Sequence, residues 1–588
     1  MHIYAMRLSA LLFILLGVTA AVKAQGHIST GFGGAAATVN PLATQAALQI
    51  LSQGGNAVDA AVAAAAVLGV TDPYSAGIGG GGFMVIYLAK ERRVVTIDHR
   101  ETAPASFHPR VFLEANGQPI PFAERVTSGL SVGVPGTVMG WEEALKRYGT
   151  MGFAQVLAPA IRIAEQGFPV SETFAQQTRA NQERFNYFTS TRSLFLPGGQ
   201  VPAVGSTFKN PDLARTYRSI AIGGSRIFYR GPIAQAIVDT VNRPPLSPGV
   251  TANVRPGRMA LSDLADYYAR ILPPVVSSYR GYTVYGMGLP SSGGLTIALA
   301  LNILEGFNLG ALPREQALHL YLEASRLAFA DRNAYMGDIG FADVPIPGLL
   351  SKAYAEEQRK RIGQRAAEGA VAPGDPYRFF EEPSPVLRPR ARNASWEGES
   401  TTHLTVVDKE GNIVAYTFTI ESIGGNGMVV PGYGFLLNNE LTDFDPTAPH
   451  PNAPEAFKRP RSSMSPTLVF KDGRPFMALG SPGGATIITT VLQSLLNVID
   501  FQMSWEEAVA APRLSQRNLA TTTVERGFET SALARALEGL GHRWTVTGEI
   551  GAATLIGFNP DGSLTAVAEP VRRGGGSAGV VQPKPEGR

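Results

Sequence analysis

The run AVDAAVAAAAVLGVT, Ala57 to Thr71, is the segment that most limits what this chain can become. Alanine and leucine favour helix, and Gly54-Gly55 followed by Asn56 reads as a break and cap separating it from an earlier helix that opens at Pro41. A helix apolar on every side has no face to give to water, so it must lie between layers. Beyond it, "GGFMVIYLAKERRVVTIDHRETAP" reads as two strands about a charged turn, with Arg100 at the end of the second. Further helices are expected at Thr137 to Lys146, Phe153 to Glu165 and Arg314 to Tyr335. Blocks of helix and strand in this order predict α+β or layered αββα rather than alternating βαβ units. At 588 residues, 44% hydrophobic and 17% charged, the chain can bury one large domain or two smaller ones.

The composition shifts between about Tyr354 and Ser400, where charge, proline and glycine displace apolar periodicity, and this stretch is expected to be an exposed, flexible approach to Thr401. Past it, strands are expected to dominate to about Phe470, after which "LGSPGGATIITTVLQSLLNVI" turns from a glycine loop into a helix. Lys plus Arg (51) nearly balance Asp plus Glu (48), with no dense basic run, which argues against a nucleic-acid partner. With no cysteine there is no thiol nucleophile, thiolate metal site or disulfide framework, and the eight histidines show no ligand spacing, so neither metal nor cofactor is implied. At the N-terminus, His2 and Arg7 precede an apolar run from Leu8 to Val22, and Val22-Lys23-Ala24 offers a signal-peptidase site. Residues 1–24 therefore read as an export signal, too short to span a bilayer, which makes the mature protein periplasmic or secreted.

The stretch "TTHLTVVDKEGNIVAYTFTIES" is a hairpin with a three-residue loop, Gly411 taking the left-handed position. If Asp408 pairs with Asn412, Thr401 falls opposite Thr419. Period two puts Thr401, His403, Thr405, Thr417, Thr419 and Glu421 on one face and Thr402, Leu404, Val406, Val414, Tyr416, Phe418 and Ile420 on the other. The first face can be read as the wet side of an ordinary half-buried strand pair. It can also be read as a site, provided Thr401 finds a base. A cut before Thr401 would supply one, because a freed α-amine, with a reference pKa of about 7.7 to 8.0, can take the proton of the adjacent hydroxyl.

"TTHLTVVDKEGNIVAYTFT", "FLLNNELTDF", "KRPRSSMSPT" and "GSPGGATIITT" resemble the small subunit of γ-glutamyltranspeptidases, members of the N-terminal-nucleophile hydrolase superfamily. "DPYSAGIGGGGFMVIY", "DHRETAPA", "SVGVPGTVMGWE", "PSSGG" and "ASRLAFADR" carry the resemblance through the large-subunit part. The resemblance implies a four-layer αββα fold formed by two chains from one precursor, cut between Ser400 and Thr401 into a large subunit, 25–400, and a small catalytic subunit, 401–588, which stay paired. It implies Thr401 as nucleophile of both processing and catalysis, Thr419 as its hydrogen-bond partner, and Gly483 and Gly484 as oxyanion donors. Arg100, Ser462 and Ser463 would hold the donor's α-carboxylate, and Glu421, Glu440 and Asp443 its α-ammonium. Position 421 departs from many family members, which have asparagine there, although some bacterial members have glutamate. The segment Phe444 to Lys458 looks shorter than in members whose lid loop covers the donor, so an open cleft admitting bulky or polymeric donors is expected.

The implied activity is a γ-glutamyl hydrolase and transferase acting on glutathione and other γ-glutamyl compounds, with amino-acid, peptide or water acceptors. Two alternatives stand beside it: a β-lactam side-chain acylase of the glutaryl or cephalosporin type on the same fold, and a non-catalytic protein that binds γ-glutamyl peptides. "GLSVG" at Gly129 to Gly133 matches a serine-hydrolase elbow, but Pro135 and Gly136 sit where its helix should begin. "GIGGGG" from Gly77 leads into a strand-like run instead of a helix, which speaks against a dinucleotide loop.

Overall fold

The structure is a computed structural model that describes residues 26–379 and 400–582. The expected export signal and residues 380–399 of the expected approach to Thr401 lie outside the described residues.

Every residue of the helix Ala57–Thr71 is buried. Asn56 caps it, accepting from the N–H groups of Val58 and Asp59, while Asp59 accepts from Asn56 in return. This reciprocal box satisfies donors that would otherwise be stranded in an apolar setting. The helix packs, with Pro41–Ser52, on the outer face of a seven-stranded antiparallel sheet. In order across that sheet run Ser577–Val580, Ala35–Thr38, Thr402–Val407, Ile413–Thr419, Gly81–Leu88, Arg93–Asp98 and Arg270–Leu272. A second antiparallel sheet of seven strands, centred on Arg474–Gly480 and Thr554–Phe558, lies against its inner face, and the helices Gly293–Leu304 and Thr486–Ile499 cover the far side. The result is the expected α+β sandwich of four layers, αββα.

The hairpin has the expected register: Thr402 pairs with Phe418 and His403 with Thr417. Gly411 sits at φ +86°, the left-handed conformation its loop position demands. Its oily face, Leu404, Val406, Val414, Tyr416 and Phe418, packs on the outer helices. The opposite face is not wet. His403, Thr405 and Thr417 are completely buried, because the second sheet covers them. They form a polar seam inside the sandwich: His403 Nδ1 is 2.7 Å from Thr417 Oγ1, and Thr405 Oγ1 is 3.2 Å from Thr554 Oγ1 on the facing sheet.

The helices expected at 137–146 and 314–335 form as Thr137–Tyr148 and Arg314–Tyr335. The helix expected at 153–165 is split into Phe153–Val156 and Ala158–Gln166. The expectation of strands from Thr401 to Phe470 is corrected. Between Thr419 and Thr467 there is no named strand, only the 3-10 turn Glu440–Asp443 and two isolated bridges, Val429 to Leu436 and Ser462 to Ser291. Residues 355–379 are anchored rather than loose, with Gly374 N–H donating to Asp331 and Val371 N–H to Asn518, both at 2.7 Å. Among the described residues no helix is long and apolar enough to cross a membrane.

Candidate active site

The start of the strand Thr402–Val407 sits at the mouth of the polar seam. Thr401 Oγ1 donates to Thr419 Oγ1 at 3.3 Å, and Thr419 Oγ1 also accepts the N–H of Glu421 at 2.8 Å. The two hydroxyls meet because the hairpin register sets their residues opposite one another. Thr401 has φ +147°, outside the region a β-branched residue prefers, so the residue after the Ser400 carbonyl is held in a strained backbone. Two anchors hold it: Arg573 Nη1 donates to the Thr401 carbonyl at 2.7 Å, and Ser400 Oγ donates to the Tyr74 carbonyl at 3.2 Å.

Around the hydroxyl pair the chain builds a small polar pocket lined by Arg100, Ser400, Thr419, Glu421, Glu440, Asp443, Ser462, Ser463 and Gly484. Every expected site residue except Gly483 thus faces one cavity, and Gly483 lies next to it in the loop before the helix Thr486–Ile499. Neither Gly483 N–H nor Gly484 N–H donates to a protein acceptor among the described residues, so both remain available to an oxyanion.

These residues come from distant parts of the sequence. The gamma-glutamyltranspeptidase family profile matches residues 43–579. The chain belongs to the γ-glutamyltranspeptidase family. The glutathione hydrolase proenzyme of Bacillus subtilis (strain 168) is 39% identical over 552 residues, covering 93% of this chain and 92% of that protein. A crystal structure of a cephalosporin acylase from Bacillus halodurans superposes with a TM-score of 0.82 at 30% identity, covering 94% of this chain and 97% of that one. The Helicobacter pylori gamma-glutamyltranspeptidase structure gives a TM-score of 0.52 at 38% identity over 55% of this chain and 90% of its own. The protein is accordingly an enzyme with the N-terminal-nucleophile hydrolase fold, a γ-glutamyl hydrolase and transferase of its family.

In the pocket the Arg100 guanidinium pairs with Glu440 and, at 2.5 Å, with Asp443 Oδ2, two of the acids that the resemblance sets against the donor's ammonium, and it also donates to the carbonyls of Pro460 and Arg461, next to Ser462. Arg100 is 1% exposed, and a charge that deep needs partners. Ser463 is held by another arginine: Arg332 Nη2 donates to Ser463 Oγ at 2.7 Å and Arg332 Nε to Ser292 Oγ at 2.8 Å. Glu421, at φ +79°, accepts from the Ser422 hydroxyl and points into the same cavity.

Burial pushes the Glu440 carboxyl well above the usual carboxylate range, and the charge of Arg100 only partly pulls it back. Burial raises the neighbouring Glu101 in the same direction. The carboxyls of this cluster are therefore weaker acids than exposed glutamates. On the other side of Thr401, burial raises Asp72 to about 6 against the pull of Arg573 and of the Ser75 and Thr402 hydroxyls.

Sequence reasoning missed Glu101, Arg332, Asp72 and Arg573. Glu101 and Arg332 lie inside "DHRETAPA" and "ASRLAFADR", motifs in which only Arg100 received a role. Arg573 belongs to the glycine-rich end of the chain, where nothing in the sequence hints at contact with Thr401. The rejected motifs are plainly structural: Ser131 is buried with its hydroxyl on the Ser128 carbonyl at 2.7 Å, and the glycines from Gly77 lead into the strand Gly81–Leu88.

Proposed function

We propose that the chain is an exported, self-processing γ-glutamyl hydrolase and transferase that uses glutathione and related γ-glutamyl compounds. The observation that carries this reading is the Thr401–Thr419 hydroxyl pair opening onto a pocket with fixed charges of both signs. In the precursor, Thr401 Oγ adds to the Ser400 carbonyl carbon, the C–N bond breaks, and the nitrogen takes up a proton to become a free α-amine. Water then hydrolyses the ester, leaving a Ser400 carboxylate and Thr401 as the first residue of the small subunit, 401–588. The strained backbone at Thr401 favours this step, since cleavage releases it.

In catalysis the α-amine accepts the Thr401 hydroxyl proton as Oγ attacks the donor's γ-carbonyl. The N–H groups of Gly483 and Gly484 receive the developing oxyanion, and Thr419 orients the nucleophile. The leaving amine departs with the proton, and water or an acceptor amine resolves the γ-glutamyl-Thr401 ester. A donor glutamyl group carries one anion and one cation. Its carboxylate can replace an acid on Arg100, assisted by Ser462 and Ser463, while its ammonium meets Glu421, Glu440 and Asp443. A zwitterion exchanges into the cluster without changing its net charge, which is why this donor class fits.

Mass spectrometry of the mature protein should find a chain that starts at Thr401. Thr401→Ala should remain a single precursor band of about 62.4 kDa less its export signal and be inactive, whereas Thr401→Ser should retain part of both functions. Efficient processing of the alanine variant would overturn the assignment. The second reading, a β-lactam side-chain acylase, is favoured by the likeness to the Bacillus halodurans acylase, and donor charge separates the two.

A further inference from the structure

Two sequence motifs of the large-subunit part, PSSGG at Pro290 to Gly294 and ASRLAFADR ending in Arg332, meet behind the donor pocket. Arg332 stands in the last turn of the helix Arg314–Tyr335 and is 2% exposed. One edge of its guanidinium reaches two hydroxyls: Nε donates to Ser292 Oγ at 2.8 Å and Nη2 to Ser463 Oγ at 2.7 Å. Ser292 in turn grips the neighbouring residue, its Oγ and its backbone N–H donating to the Ser462 carbonyl at 2.7 and 2.8 Å. The same loop fixes both flanks of the serine pair. The Ser462 N–H donates to the Pro290 carbonyl at 2.9 Å, and Ser291 Oγ donates to the Met464 carbonyl at 2.5 Å. The large-subunit part thus sets the backbone around Ser462 and Ser463 and the Ser463 side chain, while both serines line the pocket that holds Thr401.

A serine hydroxyl has one proton to give and two lone pairs to receive with. Arg332 fills a lone pair of Ser463 Oγ with a cationic donor, which polarises the O–H bond and turns its proton away from the guanidinium. Ser463 lines the pocket and Arg332 does not, so the hydroxyl stands between the two. We infer that Arg332 is a positioning residue for the donor, presenting the Ser463 hydroxyl to the donor's α-carboxylate as a hydrogen-bond donor rather than an acceptor. This rests on the γ-glutamyl reading of the pocket, in which Ser463 meets that carboxylate. A hydroxyl set in this way favours an anion over a neutral amide of the same shape. The task needs a planar fork, because a lysine ammonium is a point charge and does not offer two parallel donors to two hydroxyls.

The test compares γ-glutamyl-p-nitroanilide with its α-carboxamide on processed enzyme, by p-nitroaniline release. The ratio of the two kcat/KM values is internal to each preparation, so partial misfolding cancels. The wild type should favour the acid by at least about tenfold, because hydrogen bonds to a charged group are the stronger ones. Arg332→Gln should lower that ratio about fivefold or more, and Ser463→Ala should lower it similarly. Added to Ser463→Ala, Arg332→Gln should change the ratio by less than about twofold, since the arginine acts through that hydroxyl. Equal falls in both backgrounds, or a ratio that Arg332→Gln does not move, would overturn the inference. If Arg332→Gln stays uncut, Arg332→Lys carries the same comparison and should lower the ratio at least about twofold. A lysine variant with an unmoved ratio would overturn the inference, and so would one that also stays uncut, by placing the arginine's role in folding. A wild type that releases no p-nitroaniline from either anilide, or does not distinguish them, would instead overturn the γ-glutamyl reading, and this inference with it.

Discussion

Removing the donor's ammonium is the perturbation that most directly tests the pocket. Glutaryl-p-nitroanilide matches γ-glutamyl-p-nitroanilide except that the α-ammonium is missing. Its carboxylate would compete with Glu440 and Asp443 for Arg100, yet it brings no cation for the acids it displaces. Those acids are buried, with Asp443 at 6% and Glu440 at 1% exposure. Two unit charges about 4 Å apart interact by about 4 kcal/mol at an effective dielectric of about 20, which sets the upper end of the penalty. Solvent entering the cleft reduces it, and about 1.4 to 4 kcal/mol corresponds to roughly 10- to 10³-fold. The expected result is a kcat/KM for the γ-glutamyl anilide at least about tenfold above that for the glutaryl anilide, measured by p-nitroaniline release at one pH. Asp443→Asn should narrow the gap by weakening the γ-glutamyl substrate, because it removes one anion facing the ammonium. Equal rates on the two anilides, or a preference for glutaryl, would refute the charge argument and make the acylase the better description.

Gly480→Ala should destabilise the sandwich by about 1–3 kcal/mol in urea unfolding, since the added carbon would lie 2.2 Å from His403 Cε1 in the seam between the sheets; an unchanged midpoint would show that the seam yields. Burial lowers both His99 and His403 to about 3, so the stability they contribute is complete above the unfolded value of about 6.5 and is lost as pH falls from there toward 3, by about 1.4 kcal/mol per pH unit per histidine. Urea midpoints compared at pH 7.5 and 5 should show the loss, and His403→Gln should shrink it; a flat profile would contradict it. Residues 444–458 contribute nothing to the lining of the Thr401 pocket, and the segment is tied back through Phe457 to Ala103 and through His450 to Asn333. Poly-γ-glutamate should therefore release glutamate with a kcat/KM within about tenfold of that for glutathione, and a polymer left intact would show the cleft to be closed.

What could be read from the sequence was whatever a local rule determines. A three-residue loop and strict alternation fix the hairpin pairing, which is why Thr401 and Thr419 could be set opposite each other without coordinates. Asn56 and the apolar run after it likewise announce a buried helix. The segment "GMVVPGYGFLLNN" misled because its apolar residues look strand-like, while Pro431 and the glycines around it let only Val429 and Leu436 bridge. Period two identifies two faces but cannot say that a second sheet covers the threonine face. Nor can it show the pairing of Arg100 with Glu440 and Asp443, which are more than three hundred residues away in sequence and meet only through the loop after Ile420.

The sheet that carries Thr401 has a further consequence for a chain cut at 400/401. Ala35–Thr38, from before the cut, is hydrogen-bonded on one side to Thr402–Val407 and on the other to Ser577–Val580, both from after it. Ile413–Thr419 is bonded in turn to Gly81–Leu88. The two products are thus interleaved strand by strand, and neither can depart without tearing the middle out of the sheet. Dilution should not separate them, and differently tagged molecules should not trade halves, because exchange would require global unfolding. A molecule cut at 400/401 would keep, for its lifetime, the two pieces of the one precursor from which it came.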